Sequence, residues 1–380
     1  MVSTVNGSLA EGHWRPFVRE ALIRLVTEYA SSDNRAERGI AVFDFDNTTT
    51  ANDVTEATFG VATASGFIDG KRLSGFFTTP VATPGGRVTF EKSPRDYYFA
   101  VAGIRPDGSH DQYRSYPSSL WLGQLFTGRT VGEFVSQVRE ACGPDEPPGG
   151  RGGFPRPEIY PEIADLYGYL QSNGIDVWIV SAGMVWAVRW MVQNILNPMI
   201  AERHGDAAKI PLDRVIGVST LLRDQRTGTL VQDQVLVVDP DQSGYLNLEE
   251  DAIANLEITP LVGGAVTFAG GKVAAANERI PWDRVVLAAG DSHGDIPIMT
   301  QASTRLWIAP IDRERGGLEP VVREIDMNTR WSSWASWLVQ PVVAKEARFV
   351  LETSDISGEE KETLDWLASY FVLLSSQDEE

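Results

Sequence analysis

Cysteines, histidines and long apolar runs are scarce in this 380-residue chain, and each scarcity excludes a class of protein. The single cysteine, Cys142, cannot form an internal disulfide, and the four histidines lack the spacing of zinc ligands. No apolar run approaches the roughly 20 residues that a membrane-spanning helix needs, so we expect no membrane span.

Basic residues are also few, because Lys and Arg total 33 against 52 Asp and Glu, which gives a net charge of −19. This charge would repel a long phosphate backbone, so the sequence predicts no nucleic-acid partner, although a small anion could still bind at a locally positive site. With 43% hydrophobic residues the chain can form a large core, and its length suits two domains. The composition indicates no particular oligomeric state.

The first eleven residues contain neither the charged start nor the apolar stretch of a signal peptide. A complete chain is therefore expected in the cytoplasm, whereas earlier removal of a signal peptide would indicate a periplasmic or secreted protein.

Three short apolar runs predict buried parallel strands at Ile40–Phe43, Ile175–Val180 and Val285–Ala289. Between the first two, a helical pattern begins at Pro161 and ends before Gly174, a residue type favoured just beyond a helix C-terminus. Because strands and helices alternate in this way in α/β proteins, we predict an α/β fold with a parallel sheet and crossover connections.

Two segments interrupt this alternation. Residues 51–157 end in a Pro/Gly-rich run typical of a linker and predict a domain inserted after the first strand. Residues 222–271 predict a smaller insertion. The predicted core therefore comprises residues 1–50 and 158–345, and residues 346–380 predict a docking helix with an acidic tail.

Two acids, Asp44 and Asp46, follow the first predicted strand. In an extended chain, residues two apart point to the same side, so both carboxylates are expected to face one pocket. Carboxylates this close repel each other unless a cation lies between them or one holds a proton. An ordinary Asx-rich turn is the alternative interpretation.

Ser181 ends the second predicted strand, and with Ala182 and Gly183 it is expected to open the next helix. A hydroxyl and free backbone N–H groups at a helix N-terminus form an anion site, although an ordinary N-cap serine has the same pattern. Lys272 follows two glycines and could reach a phosphate on its flexible side chain. The alternative is a solvated surface lysine.

Asp291 and Asp295 follow the third predicted strand. Carboxylates at strand ends suit Mg²⁺, which prefers oxygen ligands and needs only one or two protein carboxylates. Because the carboxyl ends of parallel strands meet at one edge of a sheet, all four groups of residues are expected to converge in one crevice.

The chain resembles the haloacid dehalogenase-like superfamily, whose four motifs match, in order, Asp44 with Asp46, Ser181, Lys272, and Asp291 with Asp295. The resemblance covers residues 38–60 and 158–310. It implies a Rossmann-like core with a cap domain inserted directly after the first motif, which is where the insertion at residues 51–157 begins.

The resemblance also implies the chemistry of the first motif. Asp44 is expected to attack phosphorus and form an aspartyl phosphate, while Asp46 protonates the leaving oxygen and then takes a proton from water. Mg²⁺ is expected to be held by Asp44, Asp291 and the backbone carbonyl of Asp46. Dehalogenases of the superfamily lack the second acid, so the presence of Asp46 favours a phosphatase or a phosphomutase.

The remaining motif residues are expected to hold the phosphate. The resemblance implies that Ser181, Ala182 and Lys272 bind the phosphoryl oxygens, and that Asp295 orients Lys272 or the waters of the metal. Charge neutralisation and positioning would then do most of the catalytic work.

Some further strings are similar to the phosphorylcholine phosphatase-like and phosphoserine phosphatase-like branch of the superfamily, namely Gly12–Trp14, Asn52-Asp53, Val180–Ala182 and Trp337–Pro341. They imply that the substrate is a small, polar, phosphorylated metabolite. A choline group would need an aromatic cage, and the insertion offers Phe76, Phe77, Tyr97, Tyr98 and Trp121. Packing within the cap is the favoured interpretation of these side chains, and no cage is assigned.

An acidic segment at residues 239–250 matches an EF-hand calcium loop at its acidic, glycine and terminal glutamate positions. The possible calcium ligands are Asp239, Asp241, Ser243, Tyr245 and Glu250. The preceding run Val235–Val238 predicts a strand, whereas an EF-hand needs an entering helix, so a plain acidic turn is an equal alternative.

The sequence therefore predicts a Mg²⁺-dependent phosphomonoesterase. Phosphotransfer to another alcohol, as in the mutases of the superfamily, is a second possibility. A third is a non-catalytic relative that binds calcium or a partner protein through residues 239–250 and the acidic tail, but four complete motifs argue against it.

Overall fold

A computed structural model describes residues 6–30, 38–70, 73, 75, 78–103, 112–329 and 337–371 of the chain. The strands are β1 Ile40–Phe43, β2 Thr50–Ala51, β3 Val81–Thr83, β4 Gly86–Val88, β5 Glu158–Ile159, β6 Asp176–Met184, β7 Val215–Val218, β8 Thr220–Asp224, β9 Leu230–Val231, β10 Leu256–Val262, β11 Val285–Gly290, β12 Thr304–Pro310, β13 Trp337–Val343 and β14 Arg348–Phe349.

The helices are α1 Pro16–Tyr29, α2 Val54–Ala64, α3 Pro94–Ala102, α4 Gln112–Gln124, α5 Val131–Cys142, α6 Pro161–Ser172, α7 Val185–Met191, α8 Asn197–His204, α9 Asp233–Val238, α10 Ser243–Leu246, α11 Glu250–Ile253, α12 Gly270–Ala276, α13 Ile296–Met299, α14 Arg315–Thr329 and α15 Gly358–Ala368. A π-helical turn at Val192–Leu196 joins α7 to α8.

A seven-stranded sheet in the order β14-β13-β12-β11-β1-β6-β7 forms the core. Every neighbouring pair is parallel except β13 and the edge strand β14. All four residues of β1 are buried between β11 and β6. The predicted α/β fold with a parallel sheet is therefore confirmed, and the strand order brings the ends of β1, β6 and β11 together.

The helix predicted after Pro161 is confirmed as α6. Pro161 lies in its first turn, where the missing N–H costs nothing, and Gly174 follows the helix with a positive φ of 79°. The chain then returns directly into β6, which places the β6 end next to the end of β1.

The segment between β2 and β5 lies where the inserted domain is predicted. These two short strands pair antiparallel, Thr50 with Ile159, so the entering and leaving chains run side by side. Helices α2 and α5 of this segment pack on each other, and α5 also packs on α7 of the core. The insertion is thus joined to the core by this strand pair, by helix contacts and by hydrogen bonds such as that from Met184 N–H to the Thr55 hydroxyl at 2.9 Å.

The Pro/Gly-rich run before β5 is a packed loop, so its interpretation as a linker is wrong. Phe154 in this run is buried and lies with its ring centroid 5.7 Å from that of Phe59 in α2. A Cβ atom on Gly60 would clash with the carbonyl oxygen of Arg151. Gly60 and Gly152 therefore allow this loop to pack closely on α2. They do not make the loop a flexible connection.

The smaller insertion, predicted at residues 222–271, contains a three-stranded sheet in the order β10-β8-β9. Its β10 edge is hydrogen-bonded by the larger insertion, because Gly128 N–H donates to the Ile258 carbonyl at 2.9 Å and Ile258 N–H donates to Arg129 at 2.8 Å. The two insertions are therefore linked through backbone hydrogen bonds.

The strand predicted at Val235–Val238 is wrong, since these residues lie in α9. A short apolar run does not distinguish a strand from a buried helical turn. In α9, Asp233 forms two hydrogen bonds with the fully buried Arg189, at 2.6 and 2.9 Å, and accepts another from Tyr245 at 2.6 Å. This buried ion pair fixes α9 and α10 against α7.

Described segments near both ends of the chain pack against the core. Trp14 meets Phe349 edge to face, with ring centroids 4.9 Å apart, and Arg15 N–H donates to the buried side chain of Gln340 at 2.9 Å. In the C-terminal segment, Leu364 and Leu367 of α15 are buried. No helix in the described part of the chain is long and apolar enough to span a bilayer.

Candidate active site

The turn after β1 directs two acids into the same site. The backbone N–H groups of residues 48, 49 and 50 all donate to the carbonyl of Phe45, which folds the chain back after Asp46. Asn47 adopts a positive φ of 63°, a conformation that asparagine tolerates better than most residues. Asp44 and Asp46 are both buried and both line one cavity.

Asp46 is held by the start of the insertion and by β6. Its carboxylate accepts hydrogen bonds from Val54 N–H at 2.8 Å and from the Ser181 hydroxyl at 3.0 Å. Burial, followed by the nearby charges of Asp53 and Asp44, raises the pKa of Asp46 well above its usual range. A raised pKa favours the protonated acid, the form that can donate a proton to a leaving group.

Ser181 does not open a helix, which corrects the sequence prediction. Strand β6 continues through Ser181 and Ala182 to Met184, and α7 begins only at Val185. The Ser181 hydroxyl accepts from Gly183 N–H at 2.8 Å, and the Ser181 carbonyl accepts from the buried Thr267 hydroxyl at 2.6 Å. Ser181 and Ala182 therefore approach the acids from a strand end, with no helix N-terminus at this point.

Lys272 lies buried in α12 between two carboxylates. Its Nζ donates to Asp44 Oδ1 and to Asp295 Oδ1, the latter at 2.6 Å. Burial alone would lower the pKa of Lys272, but the charges of Asp295 and Asp44 outweigh it and raise the pKa above its usual value. The alternative of a solvated surface lysine is excluded.

Asp295 organises the loop after β11. Its Oδ2 accepts from the backbone N–H groups of Asp291 and Ser292 at 3.2 and 3.0 Å, and from the Ser292 hydroxyl at 3.0 Å. Gly290 is needed at this turn because a Cβ atom there would clash with the Asp295 side chain. The indole N–H of Trp307 in β12 donates to the Asp291 carbonyl at 2.9 Å and supports the other side of the loop.

Three carboxylates from two strand ends form a compact group. Oxygens of Asp44, Asp291 and Asp295 lie within 4.8 Å of one another, and all three residues are buried. Burial and the charge of Asp295 raise the pKa of Asp44 to about 7, although Lys272 acts in the opposite direction. Burial and the charge of Asp295 likewise raise the pKa of Asp291 well above its usual range.

The closely spaced carboxylate oxygens of Asp44, Asp291 and Asp295 are suitable ligands for a divalent cation. Mg²⁺ takes carboxylate oxygens and offsets the repulsion between buried acids that a single lysine leaves uncompensated. The group does not include the Asp46 carboxylate. A metal role for Asp46 therefore depends on its backbone carbonyl and stays a prediction.

The cavity encloses about 160 Å³ and has lining residues in addition to the predicted catalytic and metal-binding residues. The insertion contributes Asp53, Glu56, Tyr98, Ser118 and Ser119, and the core contributes Asn47, Phe268 and Arg313. Asp53 caps α2 by accepting from the N–H groups of residues 55 and 56, a pattern that is visible in the sequence. Nothing in the sequence around Glu56 or Arg313 indicates the site, because only the fold brings them to it.

The calcium loop predicted at residues 239–250 has a different structure. Residues 240–242 form a 3₁₀ turn and residues 243–246 a helical turn, while Asp239 accepts from the Asp241 N–H. Tyr245 is buried with its hydroxyl on Asp233. The prediction of calcium binding has no support, because Asp44, Asp291 and Asp295 are the metal-compatible acidic group found among the described residues.

No family model matches the sequence. A phosphorylcholine phosphatase from Pseudomonas aeruginosa is 29% identical over 270 residues, which cover 68% of this chain and 70% of that protein. The chain is therefore similar to a phosphatase over about two thirds of its length. Both the resemblance in the motifs and the geometry of the strand ends agree with this relationship.

One solved structure has a similar overall fold. A conserved protein of unknown function from Anaerococcus prevotii has a TM-score of 0.55 at 16% identity, over 90% of this chain and 97% of that one. A phosphoserine phosphohydrolase-like protein from Francisella tularensis has a TM-score of 0.36 at 15% identity, over 75% and 92% of the two chains. The first of these likenesses concerns the fold alone.

The hydroxyl of Thr267 supports the Ser181 end of the site, and Thr267→Val removes it with little change in volume. A buried carbonyl without a partner costs about 1–3 kcal/mol, so we expect that loss in the free energy of unfolding, measured in urea. The matched control is Thr27→Val, because Thr27 donates to the Ile23 carbonyl at 2.8 Å on an exposed helix face. Equal, small losses in both variants would show that the Thr267 bond does not hold the site.

Proposed function

We propose that the protein is a Mg²⁺-dependent phosphomonoesterase with Asp44 as its nucleophile. The observation that carries this proposal is the position of Asp44, whose buried carboxylate lines the cavity beside Asp291 and Asp295 and is held by Lys272. A carboxylate fixed at the wall of a cavity can attack a phosphorus atom placed in that cavity.

The reaction would proceed in two displacements. In the first, Asp44 forms a bond to phosphorus while the bond to the leaving oxygen breaks and Asp46 gives its proton to that oxygen. In the second, water attacks the phosphorus of the aspartyl phosphate, Asp46 accepts a proton from the water, and Asp44 is released as a carboxylate. The elevated pKa of Asp46, caused first by burial, suits the acid role of the first step.

The negative charge of the phosphoryl group would be stabilised by hydrogen-bond donors and a cation around Asp44. Lys272 is placed to bind a phosphoryl oxygen because its Nζ already contacts Asp44, and Ser181 and Ala182 approach from the end of β6. Asp44, Asp291 and the Asp46 carbonyl would hold Mg²⁺, which supplies charge neutralisation when bound. Asp295 would keep Lys272 in place through its 2.6 Å hydrogen bond.

The leaving alcohol is proposed to be small and cationic, as in a phosphorylcholine-like ester. The relative from Pseudomonas aeruginosa is named a phosphorylcholine phosphatase, and the insertion adds Asp53 and Glu56 to the cavity wall. Burial, then the charge of Asp53, raises the pKa of Glu56 to about 8. A cationic group between these acids would favour their ionised forms and gain from both charges.

Most of the described aromatic side chains considered for a cation cage pack in the core of the insertion and do not line the cavity. Tyr98 lines the cavity, whereas Tyr97 and Trp121 are buried in the insertion core. The rings of Tyr98 and Trp121 are stacked with centroids 6.2 Å apart. Phe76 and Phe77 lie outside the described residues. Recognition of the cation is therefore proposed to depend on Glu56 and Asp53, with Tyr98 as a hydrogen-bond partner of Glu56.

Asp44→Asn tests the nucleophile. We expect hydrolysis of p-nitrophenyl phosphate in the presence of Mg²⁺ to fall by about a thousandfold or more, because the amide cannot form the covalent intermediate. Removal of Mg²⁺ from the wild type should cause a comparable loss. The control is Asp365→Asn, an exposed acid on α15, and wild-type turnover in Asp44→Asn would contradict the mechanism.

Glu56→Gln tests the leaving-group pocket. We expect kcat/KM for phosphorylcholine to fall about tenfold or more, since a bond to a charged group contributes roughly 1.5–3 kcal/mol. For glycerol phosphate, whose alcohol is neutral, kcat/KM should change less than about twofold. Glu140→Gln is the control, because Glu140 lies in the same insertion and pairs with Arg151 away from the cavity. Equal losses for both substrates would argue against a cationic alcohol.

A further inference from the structure

Arg313 is a second cationic residue at the cavity, and it belongs to none of the four sequence motifs. It lies in the loop that follows β12, the parallel strand next to β11. The preceding residue, Asp312, fixes this loop, because its carboxylate accepts from the backbone N–H groups of Ala344 and Lys345 at 2.9 and 2.8 Å. The loop is thus built to present Arg313 at the carboxyl edge of the sheet.

The guanidinium of Arg313 connects the loops after β1 and β11. One nitrogen lies 3.4 Å from Asp291 Oδ2, and the other donates to Asn47 Oδ1. The side chain is 41% exposed. A charge-assisted hydrogen bond is usually about 2.7–2.9 Å long, so the contact with Asp291 is loose and can be exchanged at little cost.

The cavity is lined by more acidic than basic side chains, so a bound phosphate needs a second cation in addition to Lys272. The acids that line it are Asp44, Asp46, Asp53, Glu56, Asp291 and Asp295. Among the described lining residues, the lysine and arginine side chains are those of Lys272 and Arg313. Lys272 is already shared by Asp44 and Asp295. A phosphate dianion that enters would therefore meet more negative than positive charge unless Arg313 also contacts it.

We propose that Arg313 binds phosphoryl oxygens of the substrate and of the released phosphate, exchanging its contacts with Asp291 and Asn47 for them. This inference rests on the proposed phosphatase function. The planar guanidinium offers parallel N–H donors that match two oxygens of a phosphate, which the single ammonium of a lysine does not. Arg313 is then a catalytic residue that holds the transferred group together with Lys272.

A different role would be simple neutralisation of Asp291. In that case a divalent cation bound at Asp44 and Asp291 would replace the charge of Arg313. The affinity for phosphate in the presence of Mg²⁺ would then not depend on Arg313. The two roles therefore give opposite expectations for phosphate binding at saturating Mg²⁺.

The test is isothermal titration of inorganic phosphate into the Mg²⁺-loaded protein, comparing wild type, Arg313→Gln, Arg313→Lys and Arg315→Gln. Arg315 is the matched control, because it lies two residues away and its side chain faces Glu362 at 3.8 Å. We expect Arg313→Gln to raise the phosphate dissociation constant about tenfold or more, Arg313→Lys to give an intermediate rise, and Arg315→Gln to stay within about twofold of wild type.

Equal phosphate affinity in wild type and Arg313→Gln, or no phosphate binding to the wild type, would overturn the assignment. If Arg313→Gln is poorly folded, the phosphate dissociation constant of Arg313→Lys decides, because lysine keeps the charge and a similar side-chain length. A dissociation constant equal to that of the wild type would then overturn the assignment. Hydrolysis of p-nitrophenyl phosphate is measured in parallel. Arg313-dependent phosphate binding without hydrolysis by the wild type would refute the phosphatase function and leave the Arg313 site standing.

Discussion

The structure of the site depends on a lysine buried between two carboxylates. Removing charges from water is costly, and a buried pair is stable only when its groups are also hydrogen-bonded. Asp295 meets this condition through the loop N–H groups and the Ser292 hydroxyl, and Lys272 bonds to both Asp295 and Asp44. The acids after β1 and β11 are therefore held together by one cation in α12, the helix into which the smaller insertion leads.

Both insertions contribute to the site as well as covering it. The chain returning from β10 places Thr267 on Ser181, Phe268 on the cavity wall and Lys272 on Asp44. The larger insertion adds the acids at the start of α2. The two insertions are also hydrogen-bonded to each other along the β10 edge. The core thus supplies the acids after β1 and β11, and the larger insertion supplies part of the cavity wall.

The sequence predicts the parts of the fold that are set by local patterns. Buried apolar runs locate β1 and β11, and Pro161 and Gly174 bound α6 because these residue types have few other favourable positions. The continuation of β6 past Ser181 and the helix at Asp233–Val238 could not be predicted, because tertiary contacts decide between strand and helix there. Arg313 and Glu56 were not identified because no motif surrounds them and only the strand order and the insertion bring them to the cavity.

The central claim is that a carboxylate of the protein, and not water, first attacks phosphorus. The most direct test is the stereochemistry at phosphorus, followed with a thiophosphate ester that is made chiral by two oxygen isotopes and hydrolysed in water containing the third. Two successive in-line displacements, first by Asp44 and then by water, each invert the centre, so the account predicts overall retention of configuration. Overall inversion would indicate a single displacement by water and would contradict it.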